Sequence, residues 1–234
     1  VCDDIDSLLN DAWTLCDMLT GDIKIQKYLR MDFDSIRDQY SNDLAGSMEL
    51  ASISTYRKDI FGVYVFGQNG GRYKSNYYSF KSEDQRETTW YKTIAGSRET
   101  TWFPSHEGSF IVRSSISDNF ITVGQPVMDK ASGMVNGIVA ADIKEDVITQ
   151  RIKHSLSNGV ICIIDQEGSI LFRSNAGNDL HYPIDISPSL VSHILESTGT
   201  AVGKSMVVPD SGYLVVSRTL MNSNWRIAGI IDRG

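Results

Sequence analysis

The sequence predicts an α+β protein: a long N-terminal helical region followed by two five-stranded antiparallel sheets in tandem. Three observations carry this reading. Apolar residues recur at helical spacing over the first 57 residues. Short β-branched and aromatic runs, punctuated by Gly- and Asn-rich turns, fill most of the remainder. Segments of a first strand series match segments of a second in order and pattern.

The helical region comes first. Ile5, Leu8, Ala12, Leu15 and Leu19 alternate spacings of three and four, which places them on one stripe. Asp3, Asp4 and Asp6 fall in the first turn, where the helix dipole favours negative charge. A second helix is expected over residues 35–57, with Ile36, Tyr40, Leu44, Met48 and Ala51 on one side. Both stripes read as core, with a homodimer seam through the N-terminal helix as the alternative.

Strands follow. Residues 61–66 are β-branched and aromatic and enter the turn Gln68-Asn69-Gly70-Gly71, from which 72–78 can return as a hairpin partner. Residues 82–95 read as a helix capped by Ser82. Strands are expected at 110–115, 120–128 and 135–143, with Asp129-Lys130-Ala131-Ser132-Gly133 turning between the last two. A helix over 144–156 ends at Ser157-Asn158-Gly159, Gly159 serving as its C-cap. The second series is 160–164, 170–173, 201–208, 213–220 and 225–231, with a short helix at 189–196.

The repeat aligns residues 63–70 with 161–168, each an apolar strand entering a Gln-x-Gly turn. Ile121-Thr122-Val123 matches Leu214-Val215-Val216, and 137–143 matches 226–231. The resulting division is a helical stalk over 1–57, a first sheet domain over 58–143, a connecting helix over 144–157 and a second sheet domain over 158–234.

Composition excludes several functions. With 234 residues, 41% apolar and 22% charged, the chain can bury a sizeable core. A net charge of −7 lacks the basic footprint of a nucleic-acid binder and disfavours docking on an anionic membrane. Cys2, Cys16 and Cys162 are far apart and form no C-x-x-C pair; Cys162 reads as a buried small hydrophobe. No apolar run is long enough to span a bilayer. A chain beginning at Val1 reads as an excised fragment whose membrane segments lie outside it.

Catalytic motifs fail one by one. Residues 199–205 resemble a phosphate loop but have three residues between the glycines where four are needed, and they run into a strand rather than a helix. His106, His154, His181 and His193 have no second ligand at metal spacing. There is no nucleophile elbow, and the carboxylate pairs Asp3/Asp4 and Glu145/Asp146 sit at helix starts, where a solvated first turn explains them. No catalytic residue, metal site or cofactor is expected. An aromatic-rich segment remains: Arg86, Trp90 and Tyr91, then Trp102 and Phe103. Such side chains with a few polar groups suit a small-molecule pocket, though composition alone favours plain core.

Trp90-Tyr91, Trp102, the strand 121–127 and Gly137-Ile138-Val139-Ala140-Ala141-Asp142-Ile143, in that order, resemble the membrane-distal half of double Cache domains. Residues 161–168 and Asn224-Trp225-Arg226-Ile227-Ala228-Gly229 resemble the membrane-proximal half. The resemblance covers nearly the whole chain and is nearest to extracellular regions of bacterial sensor histidine kinases; chemoreceptors and diguanylate cyclases share the module. It implies two tandem PAS-like (Cache) domains beside a long helix, on the extracellular or periplasmic side of a membrane-anchored receptor. It also implies a small polar ligand (an amino acid, amine or carboxylate) held in the distal domain by Tyr64, Arg86, Trp90, Tyr91, Trp102, Thr122 and Asp142. Asp142 matches the acid that grips a ligand ammonium. The chain departs from amino-acid-binding members at Thr88, where they carry Arg, and at Glu83, where they carry Tyr; Arg86, one helical turn before Trp90, is the available substitute. A ligand-free dimerisation module is the competing reading.

Overall fold

The computed structural model describes residues 2–55, 57–113, 118–152, 159–176, 184–196, 204–207, 212–220 and 222–232. Three helices open the chain: α1 (Cys2–Gly21), α2 (Ile23–Leu29) and α3 (Ile36–Ser54). The α1 stripe is core as expected, Ile5, Leu8, Ala12, Leu15 and Leu19 each being almost wholly buried. Asp22 caps α2, accepting from the Lys24 and Ile25 N–H groups, a start the apolar pattern does not announce. Ser35 caps α3 through the Asp38 N–H.

The chain divides into two compact units, residues 11–145 and residues 1–10 with 146–234. The first holds β1 (Gly62–Gly67), β2 (Arg72–Lys74), α4 (Thr89–Gly96), β3 (Thr101–Glu107), β4 (Asn119–Met128) and β5 (Val135–Lys144). Its sheet order is β2-β1-β5-β4-β3, all antiparallel. The second holds α5 (Glu145–Ile152, beginning at the boundary), β6 (Gly159–Ile164), β7 (Ile170–Ala176), α6 (Pro188–Glu196), β8 (Lys204–Val207), β9 (Tyr213–Thr219) and β10 (Arg226–Asp232). Its order is β7-β6-β10-β9-β8. The two orders coincide position for position. The three sequence matches fall on β1/β6, β4/β9 and β5/β10, and the hairpin glycines Gly70 and Gly168 share φ values of +89° and +88°, a left-handed turn only glycine adopts freely.

Several expectations are corrected. Residues 82–88 form no α-helix. A 3-10 turn at Gln85–Glu87 precedes α4, which starts at Thr89 because the Thr88 hydroxyl accepts the Tyr91 N–H. Residues 110–113 are not in a named strand but in a loop joined by one isolated bridge, Phe80↔Val112, to the loop after β2; 114–117 lie outside the described residues. The third strand is β3, where Pro104 sits in an edge strand at a register shift between Phe103 and His106, a place where its missing N–H is tolerated. Gly159 opens β6 rather than capping a helix, and Lys204 opens a strand, so the phosphate-loop match leads into no helix; residues 199–203 lie outside the described residues.

The largest correction concerns α3. Its Ile36, Tyr40, Leu44 and Met48 face water, while Asn42, Gly46 and Leu50 face inward. The reason is the edge of the sheet. Strand β2 is an edge strand, and its N–H groups need acceptors. Asp43 Oδ1 accepts the Arg72 N–H at 2.8 Å and Ser47 Oγ the Lys74 N–H at 3.2 Å. The Asn42 amide donates to the Tyr73 hydroxyl at 2.6 Å. Gly46 allows the close approach, since a Cβ there would stand 2.3 Å from the Tyr73 ring. The polar side of the helix therefore docks and the apolar side turns out.

In the second unit α6 packs Leu190, Val191 and Ile194 onto Val160, Cys162, Ile164, Val215, Ala228 and Ile230. Arg218 binds the exposed Asp3 and, at 2.5 Å, the buried Asp6, so Asp6 serves an ion pair while Asp3 and Asp4 stay at the solvated helix start.

Gly137 tests the strand packing. A Cβ there would lie 2.3 Å from the Phe66 carbonyl oxygen, a backbone atom that cannot move aside. Gly137→Ala is expected to destabilise the chain by about 2–4 kcal/mol in denaturant unfolding, against a change within about 1 kcal/mol for Gly96→Ala, where nothing lies within 4 Å.

Candidate functional site

Strand alternation puts Tyr64 and Phe66 of β1, Ile138 and Ala140 of β5, and Trp90, Tyr91 and Ile94 of α4 into one core cluster. Asp142, two residues beyond Ala140, shares that face, and its cross-strand partner is Thr122. The Asp142 carboxylate is wholly buried. The Thr122 and Ser109 hydroxyls each donate to it at 2.6 Å, and the Tyr64 hydroxyl also bonds it. Tyr64 in turn accepts from the Asn76 amide at 2.9 Å. His106 Nε2 lies 2.9 Å from Thr122 Oγ1, and its Nδ1 lies 2.9 Å from the Gly108 carbonyl.

Counting hydrogens fixes the chemistry. Thr122 has one hydrogen and two partners. If it donates to Asp142, His106 must donate from both nitrogens and is an imidazolium. If it donates to His106 Nε2, Asp142 must donate and is a carboxylic acid. Burial favours the uncharged distribution: it pushes the Asp142 carboxyl up to about 6, against the three bonds that favour the ion. It pulls the His106 imidazole down to about 4.

Aromatic packing closes the cluster. The Phe110 ring stacks on His106 at 3.6 Å between centroids and lies nearly parallel to Trp90 at 6.3 Å. Phe66 meets Trp90 edge-on at 5.7 Å. Two polar atoms here are unsatisfied: the Trp90 indole Nε1 and the Tyr91 hydroxyl are buried without hydrogen-bond partners. A buried donor with no acceptor is costly and calls for an explanation.

Of the seven expected ligand-binding residues, Tyr64, Trp90, Tyr91, Thr122 and Asp142 gather on this face. Arg86 does not. Its guanidinium pairs with Asp84 at 2.6 Å, donates to the Gln68 carbonyl, and lines a separate recess of about 270 Å³ with Gln39, Gly71, Arg72 and Ser82. Trp102 pairs with Val123, and its neighbour Phe103 pairs with Thr122, so alternation sends Trp102 to the opposite face and Phe103 to this one. Ser109, Phe110, Asn76 and His106 are members the sequence reading missed. Pro104 is the one local signal for His106, marking the shift that returns it to the Phe103 face.

The second sheet lacks this chemistry. With the turns aligned at Gly70 and Gly168, Tyr64 falls on Cys162, which pairs with Ala228 as Tyr64 pairs with Ala140. Asp142 falls on Ile230, and Ile230 pairs with Val215 as Asp142 pairs with Thr122. The polar triad becomes cysteine, valine and isoleucine, all buried.

No protein-family model matches this chain, and no curated protein matches it in sequence. Solved structures do match in fold. The ligand-binding domain of the Pseudomonas aeruginosa PAO1 amino-acid chemoreceptor PctC, in complex with GABA, is similar over 99% of this chain and 94% of that one, with 17% identity and a TM-score of 0.61. The ligand-binding domain of the Campylobacter jejuni chemoreceptor Tlp3, in complex with L-valine, is similar over 99% and 89%, at 16% identity and a TM-score of 0.61. The extracellular domain of the putative histidine kinase soHK1S-Z6 is similar over 99% and 89%, at 14% identity and a TM-score of 0.63. At these identities the likeness is one of fold. Among the described residues no helix is long and apolar enough to cross a membrane.

The two perturbed groups pull stability in opposite directions. Asp142 is raised in the folded chain, so its contribution is complete below about pH 4 and lost as pH rises through about 6. His106 is lowered, so its contribution is complete above about pH 6.5 and lost as pH falls through about 4. Relative to wild type, Asp142→Asn should therefore gain on the order of 2 kcal/mol between pH 4 and 7, and His106→Gln should lose stability over the same interval. Urea unfolding at several pH values reads both slopes; parallel wild-type and variant curves would refute the assignment.

Proposed function

We propose that this chain is the extracellular ligand-sensing region of a bacterial transmembrane receptor, a sensor histidine kinase in preference to a chemoreceptor or diguanylate cyclase. Residues 58–143 form the membrane-distal PAS-like domain and bind a small polar solute; residues 158–234 form the proximal one, with 1–57 as helical stalk and 144–157 as connector. One observation carries the reading. A fully buried carboxylate, Asp142, lies on the same sheet face as two buried donors, Trp90 Nε1 and the Tyr91 hydroxyl, that have nothing to bond. A solute with an ammonium at one end and an acceptor at the other would satisfy both. Its ammonium takes the place of the Ser109 hydroxyl on Asp142, and its carboxylate or hydroxyl accepts from Trp90 or Tyr91. The fold likeness to receptors solved with GABA and L-valine supports this class of solute.

Signalling then requires two states. Here Ser109 occupies Asp142 and Phe110 lies against His106. A solute that displaces them favours a second arrangement of the 108–112 loop, and it shifts the balance only by its differential affinity. The filled slot also favours a second reading, in which the chain is a ligand-free interaction module and Phe110 is plain core.

A thermal-shift panel of amino acids, amines, carboxylates and sugars separates the two. A solute at one hundred times its Kd adds about 2.7 kcal/mol to the native state. The sensor reading expects at least one amine-bearing compound to raise the melting temperature of the wild type, no shift in Asp142→Asn, and an equal or larger shift in Phe110→Ala. Arg86→Ala should bind within a few-fold of wild type, its charge being spent on Asp84. Silence of both the wild type and Phe110→Ala across the panel would leave the interaction module standing.

A further inference from the structure

A recess of about 460 Å³ lies between α2 and the β4–β5 turn and shares no lining residue with the Asp142 cluster. Its size falls within the range of small-molecule sites. Ile23, Gln26, Lys27, Arg30, Met31 and Lys130 form most of its lining. The walls are tied together. Arg30 Nε meets Asp129 Oδ2 at 2.9 Å, which joins the end of α2 to the turn. Gln26 Nε2 donates to the Thr20 carbonyl at 2.8 Å and to the Met128 carbonyl at 3.3 Å. Asn69 Nδ2 donates to the Tyr28 and Met31 carbonyls at 3.0 and 2.8 Å. A site whose walls are already fixed loses little freedom when it fills.

Three features of the lining set its chemistry. The first is charge. The chain carries a net charge of −7, yet three cationic side chains meet here. The neighbouring acids are committed: Asp22 accepts the Lys24 and Ile25 N–H groups, and Asp129 takes Arg30 and the N–H groups of Ala131 and Ser132. Lys27 and Lys130 are exposed and have no ion-pair partner among the described residues. Like charges around one recess repel until an anion joins them. The second feature is apolar surface. Ile23 is 84% exposed and Met31 40%, area that a ligand body can cover. The third is an orphaned acceptor. Gln26 is buried, and its Oε1 has no hydrogen-bond partner. The amide cannot turn round to relieve it, because that would set the oxygen against the two carbonyls Nε2 now holds. Such an atom calls for a donor.

We propose that this recess binds a small hydroxylated organic acid. Its carboxylate lies between the Lys27 and Lys130 ammoniums, its apolar body covers Ile23 and Met31, and its hydroxyl donates to Gln26 Oε1. An inorganic anion would leave the apolar surface wet, and an amine would be repelled. The proposal does not rest on the sensor reading, because the two sites have no residue in common.

Proton–nitrogen correlation NMR of the 234-residue chain, titrated with para-hydroxybenzoate, tests it. Amide peaks of residues 23–31 and 129–131 should move to saturation, and raising NaCl from about 50 to about 300 mM should weaken the response. Benzoate should bind about two- to tenfold more weakly, the ratio that one net hydrogen bond supplies. The uncharged para-hydroxybenzamide and inorganic phosphate should each bind more weakly still. The double variant Lys27→Glu with Lys130→Glu should lose the response while keeping the wild-type spectrum elsewhere, since both sites face water. Asp142→Asn should keep it, which separates this site from the sensor pocket. Unmoved peaks, benzoate or para-hydroxybenzamide binding as tightly as the hydroxy acid, or an undiminished response in the double variant overturns the proposal. So does movement of the same peaks with phosphatidylglycerol vesicles in place of the acid, which would make the recess a lipid contact.

Discussion

A carboxylate that water cannot reach organises the 11–145 sheet. An isolated ionised carboxylate in an apolar interior costs far more than a domain's whole stability margin. Asp142 is held because three hydroxyls converge on it from separate elements: Tyr64 on β1, Thr122 on β4 and Ser109 on the loop after β3. Ser109 does more than donate. Its oxygen accepts the N–H groups of Ile111 and Val112 at 3.1 and 3.2 Å, which turns the loop back over the sheet. That turn seats Phe110 on His106 and brings Val112 to Phe80. The loop conformation and the aromatic stack are thus tied, through Ser109, to one buried carboxyl group.

The second sheet is the control that nature supplies. It keeps the strand order, the glycine turn and the alanine opposite the first inner strand, and it replaces every member of the polar triad by an apolar side chain. The core under α6 is accordingly one cluster of apolar side chains. The fold does not require a buried acid at the fifth strand. Its presence in one copy and not the other is the physical ground on which the proposed function puts the solute in the first unit.

How much of this was legible in the sequence depends on which force decides each feature. The repeat followed from apolar alternation and two glycine turns, because burial on a pleated sheet has a fixed period. The order of short motifs singles out Asp142, Tyr64, Thr122, Trp90 and Tyr91, which the fold gathers on one side of the sheet. It does not reveal that Trp102 points to the other side, because pairing with β4 decides which neighbour in β3 faces the cluster. Arg86 was misplaced because a helix was extended back to Ser82, where the Thr88 cap starts it later and leaves Arg86 beside Asp84. His106 escaped because metal spacing was the only test applied to histidines, whereas its partners are a threonine and a backbone carbonyl.

The α3 stripe shows the limit of periodicity most plainly. Five apolar residues at helical spacing say that a helix has an apolar side, not which side the fold will use. Two demands compete for α3. Its apolar row would gain from burial, and the edge of β2 would be left with unpaired N–H groups if that row faced it. Asp43, Ser47 and Asn42 answer the second demand, and Gly46 lets them come close enough to do so. No rotation of the helix serves both within one chain, because the polar and apolar rows lie on different sides. The first demand is therefore left over after folding, on a face whose exposed charges are Arg37 and Asp38 at its N-terminal end. Hydrophobic surface remaining after a polar requirement has set the docking angle is not an accident of poor packing.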